Sequence, residues 1–473
     1  QCKFAFSWII RGRAPGLRPQ MRLLLGALVV VFASQPHPGS ALEAFGRAKA
    51  SGLIDRSDIG SDIDAYFAKL KPQLAHCAVP PQRRGPLGVC VYVSPGGAIV
   101  HGDDLGTSAG SGKQMLMDMM LRGVVEKLLW RGAGWLSFCM VYTASGPTVR
   151  SVKKVDKQTA VLAIGKREPD RQPGLLIPNP FFISPEWWDN MTVSWFAKAR
   201  QVPWESRSSG VFFRGACGPG AHARVELLSI QNEQLDVGFT GVDGYGDVAL
   251  CVRDILSRKR AADFKSKAIR GPKAIKAHAA GDRLAEKYVM KRGIKGHVPV
   301  SNFSQYKYLL HMPGSATGSY SRNLQYLFTH GAVVLIWRNP AVEWYYRFLV
   351  DGVHCVFVDA NTLKAKVDLI ERSPAMQLTL RRGARRFFLE HLAGAPLAAR
   401  WRAILDVVAA RQPASETPPP IDFSTACTCD EGLLSDPPDW AQELNPCAKC
   451  EITHKKGNSV ARFIGILPRR SAA

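Results

Sequence analysis

The stretch Tyr306-Lys-Tyr-Leu-Leu-His-Met-Pro-Gly314, followed by Ser-Ala-Thr-Gly-Ser-Tyr-Ser-Arg322, Leu324–Phe328 and Gly331-Ala-Val-Val-Leu335, decides how this chain reads. Residues 306–311 are apolar and aromatic enough to predict a strand. Residues 319–329 predict a helix, and 332–337 a second strand. A strand that ends in a glycine-bearing loop and opens a helix offers unpaired backbone N–H groups and a positive dipole end, which suit a diphosphate. Arg322 falls within the first turn, where its guanidinium fork matches two phosphate oxygens.

The same alternation continues on both sides. A helix at 341–349 and a strand at 354–358 follow. Upstream come strands at 211–213 and 236–240 with helices near Arg224–Ile230 and Val248–Ser257. Strands alternating with helices predict βαβ units and a parallel sheet. Nearer the N-terminus, Ser61 and Asp64 stand as a capping box would at the start of a helix. Strands at Val89–Val93 and Phe138–Thr143 flank a methionine-rich helix near Gln114–Trp130, and a short strand follows at Val161–Ile164. Ile177-Pro-Asn-Pro-Phe-Phe182 reads as an irregular crossing, Ser194–Trp204 as a link between halves, and 361–411 as mostly helical. The expected class is α/β, with two Rossmann-like domains facing a cleft and a short cysteine-bearing tail. The boundaries expected are 42–205 for the N-terminal domain, 206–411 for the C-terminal domain with its terminal helices, and 412–473 for a proline-rich linker and tail.

The 62 Lys and Arg against 39 Asp and Glu give a net charge of +23, spread among acids and apolar positions rather than gathered in one run. No zinc finger, RNA-recognition signature or basic heptad region accompanies it, so nucleic acid is not an expected partner. Met21-Arg22 and the apolar Leu23–Ala33, with small residues at Ser40 and Ala41, predict a signal peptide over 21–41, and residues 1–20 read as a non-native upstream segment. An uncleaved type II anchor is the alternative, and no other stretch approaches a membrane span. Eleven cysteines and the sequons at Asn190 and Asn302 agree with the lumen of the endoplasmic reticulum or Golgi, or with secretion. Cys427, Cys429, Cys447 and Cys450 suit two disulfides better than one zinc ion, because the first pair is spaced C-x-C in an oxidising compartment.

Tyr306-Lys-Tyr-Leu, the Ser319-Tyr-Ser-Arg322 helix start, Gly331-Ala-Val-Val, Glu343-Trp-Tyr-Tyr and His354, with Phe212-Phe-Arg214-Gly215 and Pro178-Asn-Pro-Phe-Phe182 upstream, resemble glycosyltransferase family 90. That family includes the Rumi-type protein O-glucosyltransferases and fungal capsule-associated xylosyltransferases. The resemblance implies a GT-B fold and transfer of glucose or xylose from UDP-glucose or UDP-xylose to a hydroxyl of a protein or glycan, inverting and without a metal or other cofactor. It assigns the donor to Arg214, Gly215, Arg224, Gly318, Ser319, Ser321, Arg322 and Glu343. It also implies a general-base aspartate, but Val141-Tyr-Thr-Ala-Ser-Gly-Pro147 places Ser145 there, and the substitute is another carboxylate such as Asp170, Asp103 or Asp104. Two alternatives stay open: a catalytically inactive member that binds a nucleotide sugar or glycan, and a basic polyanion-binding protein. Gly110-Ser-Gly-Lys-Gln114 lacks the first glycine and the magnesium-holding hydroxyl of a P-loop, and polar residues precede Ser108 where a nucleophile elbow needs a strand. His354 reads as a packed residue at a strand start.

Overall fold

The structure, a computed structural model, describes residues 56–413 except 76–88, 96–98, 102–110, 129–131, 133, 143–157, 168–171, 231, 244–245, 266–271, 293, 315–320 and 322, and also 451–455 and 458–462. The chain divides into a unit of residues 1–55, which contains the predicted signal segment and lies outside the described residues, and a unit of residues 56–473.

The N-terminal half consists of α1 (Arg56–Phe67), β1 (Val89–Val93), β2 (Ile99–His101), α2 (Ser111–Leu128), β3 (Leu136–Val141), β4 (Val161–Ala163) and β5 (Leu175–Leu176). Its sheet runs β2-β1-β3-β4-β5. β3, β4 and β5 are parallel, but β1 is antiparallel to both β2 and β3, so this sheet is mixed rather than the parallel one expected. The short β1–β2 connection forces an antiparallel pair. The helical crossover then runs from β2 through α2 to β3, leaving β1 inserted between them. All six residues of β3 are buried. Phe138 and Met140 share a core with Met117 and Met120 of α2, while Cys139 and Val141 pack with Tyr92 and Val161 on the other face. Ser61 lies inside α1 rather than at its cap, and its Oγ accepts a hydrogen bond from Arg347 Nη2 at 2.6 Å.

The segment expected as a link is instead the end of a helix, α3 (Pro185–Gln201). Its signals are local: Ser184 Oγ accepts from Trp187 N–H, Pro185 opens the first turn, Glu186 sits near the positive end, and Lys198 and Arg200 sit near the negative end. Trp188, Thr192, Trp195 and Ala199 form its buried stripe.

The C-terminal half runs β6 (Ser208–Cys217), α4 (His222–Ser229), β7 (Leu235–Val242), α5 (Val248–Lys265), α6 (Pro272–Arg292), β8 (Tyr306–His311), α7 (Leu324–Leu327), β9 (Val333–Trp337), β10 (Val356–Val358), α8 (Leu363–Glu371), α9 (Pro374–Phe387) and α10 (Gly394–Arg411). The sheet, ordered β10-β9-β8-β6-β7, is parallel throughout. Two predicted helices shrink. Among the described residues of 319–329 only the single turn α7 is helical, and Gly331 at φ 60° turns the chain directly into β9. Residues 341–349 yield a 3-10 turn at Tyr346–Phe348. A disulfide joins Cys217 at the end of β6 to Cys251 in α5.

The last helix does not stay with the half to which sequence order assigns it. On α10, Trp401 stacks near Phe138 of β3 and Arg400 pairs with Asp62 of α1 at 2.7 Å. Just beyond it, Gln412 donates to Ser137 O at 2.6 Å and accepts from Ser137 N–H at 2.9 Å. Its apolar face completes the N-terminal core, which nearby elements in sequence leave open. Among the described residues no helix is long and apolar enough to cross a membrane. Residues Glu451–Lys455 and Asn458–Arg462 form an antiparallel hairpin, and the four tail cysteines lie outside the described residues.

Helix α9 approaches the backbone so closely that a Cβ on Gly383 would lie 1.9 Å from Val353 O. Gly383→Ala is expected to destabilise the fold by about 2–3 kcal/mol, read as a lower denaturant midpoint with an unchanged slope.

Candidate functional site

In the parallel sheet, β7 lies on one side of β6, and β8, β9 and β10 on the other. Connections therefore leave in opposite directions between β6 and β8. In an open α/β sheet, the crevice at the carboxyl ends of such a pair is where ligands bind. Here those ends are Gly215–Cys217 and His311–Gly314.

Arg224, from the first turns of α4, closes this point. Its Nε donates to Pro313 O at 2.8 Å, its Nη1 donates to Ala216 O at 2.6 Å, and its guanidinium lies 5.4 Å from the Phe213 ring centroid. The side chain is buried, and burial pulls its pKa down to about 10, with Asp243 opposing, so it remains charged at neutral pH. Nη2 makes no hydrogen bond to a described residue, which leaves N–H donors for an anion. Gly215 is needed for this clamp: a Cβ there would stand 2.9 Å from Arg224 Nη1 and 2.7 Å from Phe213 Cζ.

His311, the last residue of β8, frames the other side. Its Nδ1 lies 2.7 Å from Asn323 Oδ1 and its Nε2 lies 3.1 Å from the Tyr346 hydroxyl. Burial pushes its pKa down to about 4 against the pull of Asn323, so the ring is neutral. With Asn323 Oδ1 as acceptor, the proton sits on Nδ1 and Nε2 accepts from Tyr346. The ring thus fixes both ends of the segment that leaves β8 and enters α7. Within it, Ser321 is half-buried and its carbonyl accepts from Leu324 N–H. Gly318, Ser319 and Arg322 lie outside the described residues, as do Ser145 and Asp170.

Arg214 points elsewhere. Its guanidinium stacks over Phe212 at 4.8 Å, donates to Asp236 O at 2.7 Å and pairs with Asp236 Oδ1 at 2.8 Å, which Lys295 Nζ also reaches at 2.7 Å. Asp236 is the second residue of β7, so the side chain runs toward the amino ends of the strands, away from the switch point. Burial raises the Asp236 pKa, but the hydrogen bonds and charges of Lys295 and Arg214 outweigh it and hold the carboxyl low. Arg214 is thus held as the ion-pair partner of Asp236.

Glu343 is also differently placed. It is 1% exposed, and its Oε1 accepts from Tyr345 Oη at 2.9 Å while Oε2 accepts from Asn179 Nδ2. Asn179 also donates to Gln325 Oε1 at 2.8 Å. Asn179 precedes the 3-10 turn Pro180–Phe182, and its Oδ1 caps that turn through Phe181 N–H at 2.9 Å. Together with the paired backbones of Lys166 and Val342, this cluster joins the two halves immediately beside the switch point. Sequence reasoning missed Asn179, Gln325, His311, Asn323 and Tyr346 as members of the site. The signals present were a polar residue between two prolines and a histidine closing an apolar strand.

Residues 183–416 match the family model described as Glycosyl transferase family 90. Over that span the chain is similar to glycosyl transferase family 90. The matched region covers α3 and the whole parallel sheet, and the N-terminal sheet lies outside it. Among solved structures, the chain is similar to HepE of Anabaena, solved in complex with UDP and glucose, at 9% identity over 62% of this chain and 76% of that one, with a TM-score of 0.33. It is also similar to a GtfA/B complex at 15% identity over 44% and 37%, with a TM-score of 0.25. No protein of curated function matches the sequence.

Burial, the largest effect, lifts Glu343 to about 8, with Asn179 and Tyr345 pulling it down. A carboxyl raised above its unfolded value keeps its proton in the fold while the unfolded chain ionises. Stability should therefore fall as pH climbs from the ordinary carboxylate range to about 8 and then level off. Glu343→Gln is expected to flatten that part of the Tm-against-pH curve, and an unchanged slope would contradict the assignment. Gly215→Ala should cost about 1–3 kcal/mol in denaturant unfolding as Arg224 is displaced.

Proposed function

We propose that this family-90 glycosyltransferase moves glucose or xylose from a UDP-sugar to a hydroxyl of a protein or glycan, with inversion and without a metal. The observation that carries the reading is where the family-matched elements fall. The loop after β8 and the glycine of β6 meet at the topological switch point, under a buried arginine that retains free N–H groups. There a diphosphate would meet a fixed positive charge and backbone donors, the arrangement that stabilises charge developing on a leaving group. Arg322 adds the second guanidinium in this reading. HepE, solved with UDP and glucose, agrees with the donor class but does not choose the sugar.

An acceptor hydroxyl must lose its proton as it attacks. The serine at 145 does not serve as a base at neutral pH, so Asp170 takes that role in this proposal. The same serine favours a second reading, a nucleotide-sugar-binding member without turnover. The disulfide between Cys217 and Cys251 supports a secretory lumen as the compartment.

Binding of UDP and turnover of UDP-glucose and UDP-xylose should be measured on the same preparation. Arg322→Ala is expected to lose UDP-sugar binding with its Tm unchanged. Asp170→Asn should keep binding and lose roughly 10²–10⁴-fold in kcat. Binding without any hydrolysis or transfer would establish the silent reading, and unchanged affinity in Arg322→Ala would overturn the donor site.

A further inference from the structure

A second concentration of charge lies at the opposite edge of the parallel sheet. The chain between α3 and β6 carries Trp204 and Arg207, and α9 carries Arg381 and Arg385 one turn apart. Three cations address the Trp204 ring: the Arg381 guanidinium at 4.2 Å from its centroid, and Arg207 and Lys307 Nζ each at 5.7 Å. Arg385 lies over Phe196 of α3 at 5.8 Å, with Arg200 from the last turn of α3 close enough to repel it.

Arg207 has a complete structural explanation. Its guanidinium donates to the carbonyls of Ala199, Val202, His330 and Gly331, capping the negative end of α3 and riveting it to the start of β9. The other three do not. Arg381 uses Nε on Gly331 O at 2.9 Å, but its two Nη atoms make no hydrogen bond to a described residue. Arg200 and Arg385, both exposed, make none at all with described residues, and none of the four arginines forms a salt bridge with one. Glu205 is the acid that acts on Arg381, and Glu371 answers Lys307 at 3.8 Å. Neither offsets four guanidinium groups.

We propose that the surface where the C-terminal end of α3 meets helix α9 is an oxyanion-binding site that takes a phosphate or sulfate group on Arg381, Arg385 and Arg200. Arg381 and Arg385, one turn apart on α9, each carry a guanidinium fork, the group that binds such oxyanions most strongly. Trp204 and Phe196 hold the guanidinium planes in place and dry one face of each. Burial first, and the neighbouring arginine second, lower the pKa of both Arg207 and Arg385, so an anion would relieve a repulsion already present. The six-residue strand β8 puts about 20 Å between this edge and the switch point. The site is thus separate from the donor crevice and independent of the function proposed above. Two sources share this chemistry: a free oxyanion, and a sulfated or phosphorylated sugar chain.

The full chain should be titrated calorimetrically with inorganic phosphate and, separately, with a heparin-derived hexasaccharide, while UDP affinity is followed in the same samples. Saturable binding that weakens with salt is expected for at least one probe. Binding of phosphate assigns a free oxyanion, and binding of the hexasaccharide alone assigns a chain-borne group. The exposed pair Arg200→Gln with Arg385→Gln should lose roughly tenfold or more in that affinity, with Tm and UDP affinity unchanged. Arg385→Lys, which keeps the charge and loses the fork, should recover only part of it. Absence of saturable binding by either probe, or equal affinity in the double variant, would overturn the proposal.

Discussion

The guanidinium of Arg224 sets the geometry on which the C-terminal half depends. Buried without a carboxylate in hydrogen-bond contact, it retains its charge only because the carbonyls of Ala216 and Pro313 converge on it and Phe213 covers one face. A charge removed from water without such partners would be far too costly. The consequence is mechanical as well as electrostatic. The ends of β6 and β8 are drawn to one point, Gly215 must lack a side chain there, and the loop after β8 departs from a fixed origin. The Cys217–Cys251 disulfide holds the same strand end to α5.

A second buried cluster makes the two sheets one body. Asn179 donates to both Gln325 and Glu343, so residues from the N-terminal half, the turn α7 and the segment after β9 share one network. A carboxyl in that position is favoured neutral, and the seam is thereby a polar contact that depends on protonation. Helix α10 reinforces the union by leaving the C-terminal half and completing the N-terminal core through Trp401 and Arg400. The two halves therefore exchange elements, and the core that includes Phe182, Phe212, Leu324 and Trp401 runs across both.

The positive charge of the chain is put to different uses at the two ends of the parallel sheet. At the carboxyl edge one buried arginine organises backbone. At the amino edge arginines gather about Trp204 and Phe196. A net charge of +23 says nothing of this division, because it reports neither burial nor direction.

Much of the architecture was legible in the residues. Strands 89–93 and 306–311 have the extents that alternation and apolar runs predict, and the family-bearing segments name the chemistry before any coordinate does. α3 was legible in its caps and dipole charges but was hidden by reading Ser194–Trp204 as a break. What local sequence does not encode is direction and partner. Whether Arg214 faces a ligand or Asp236 depends on which strand lies beside it, and whether Glu343 meets solvent or Asn179 depends on a contact between residues 164 positions apart. The same holds for β1, whose antiparallel insertion follows from where α2 crosses, and for α10, whose core lies in the other half. The sequence alone determined the α/β class of the fold, the strands 89–93 and 306–311 and the family resemblance. The tertiary structure alone decided that Arg224 turns to the carbonyls of Ala216 and Pro313 and Arg214 to Asp236, because side-chain orientation is set by long-range packing.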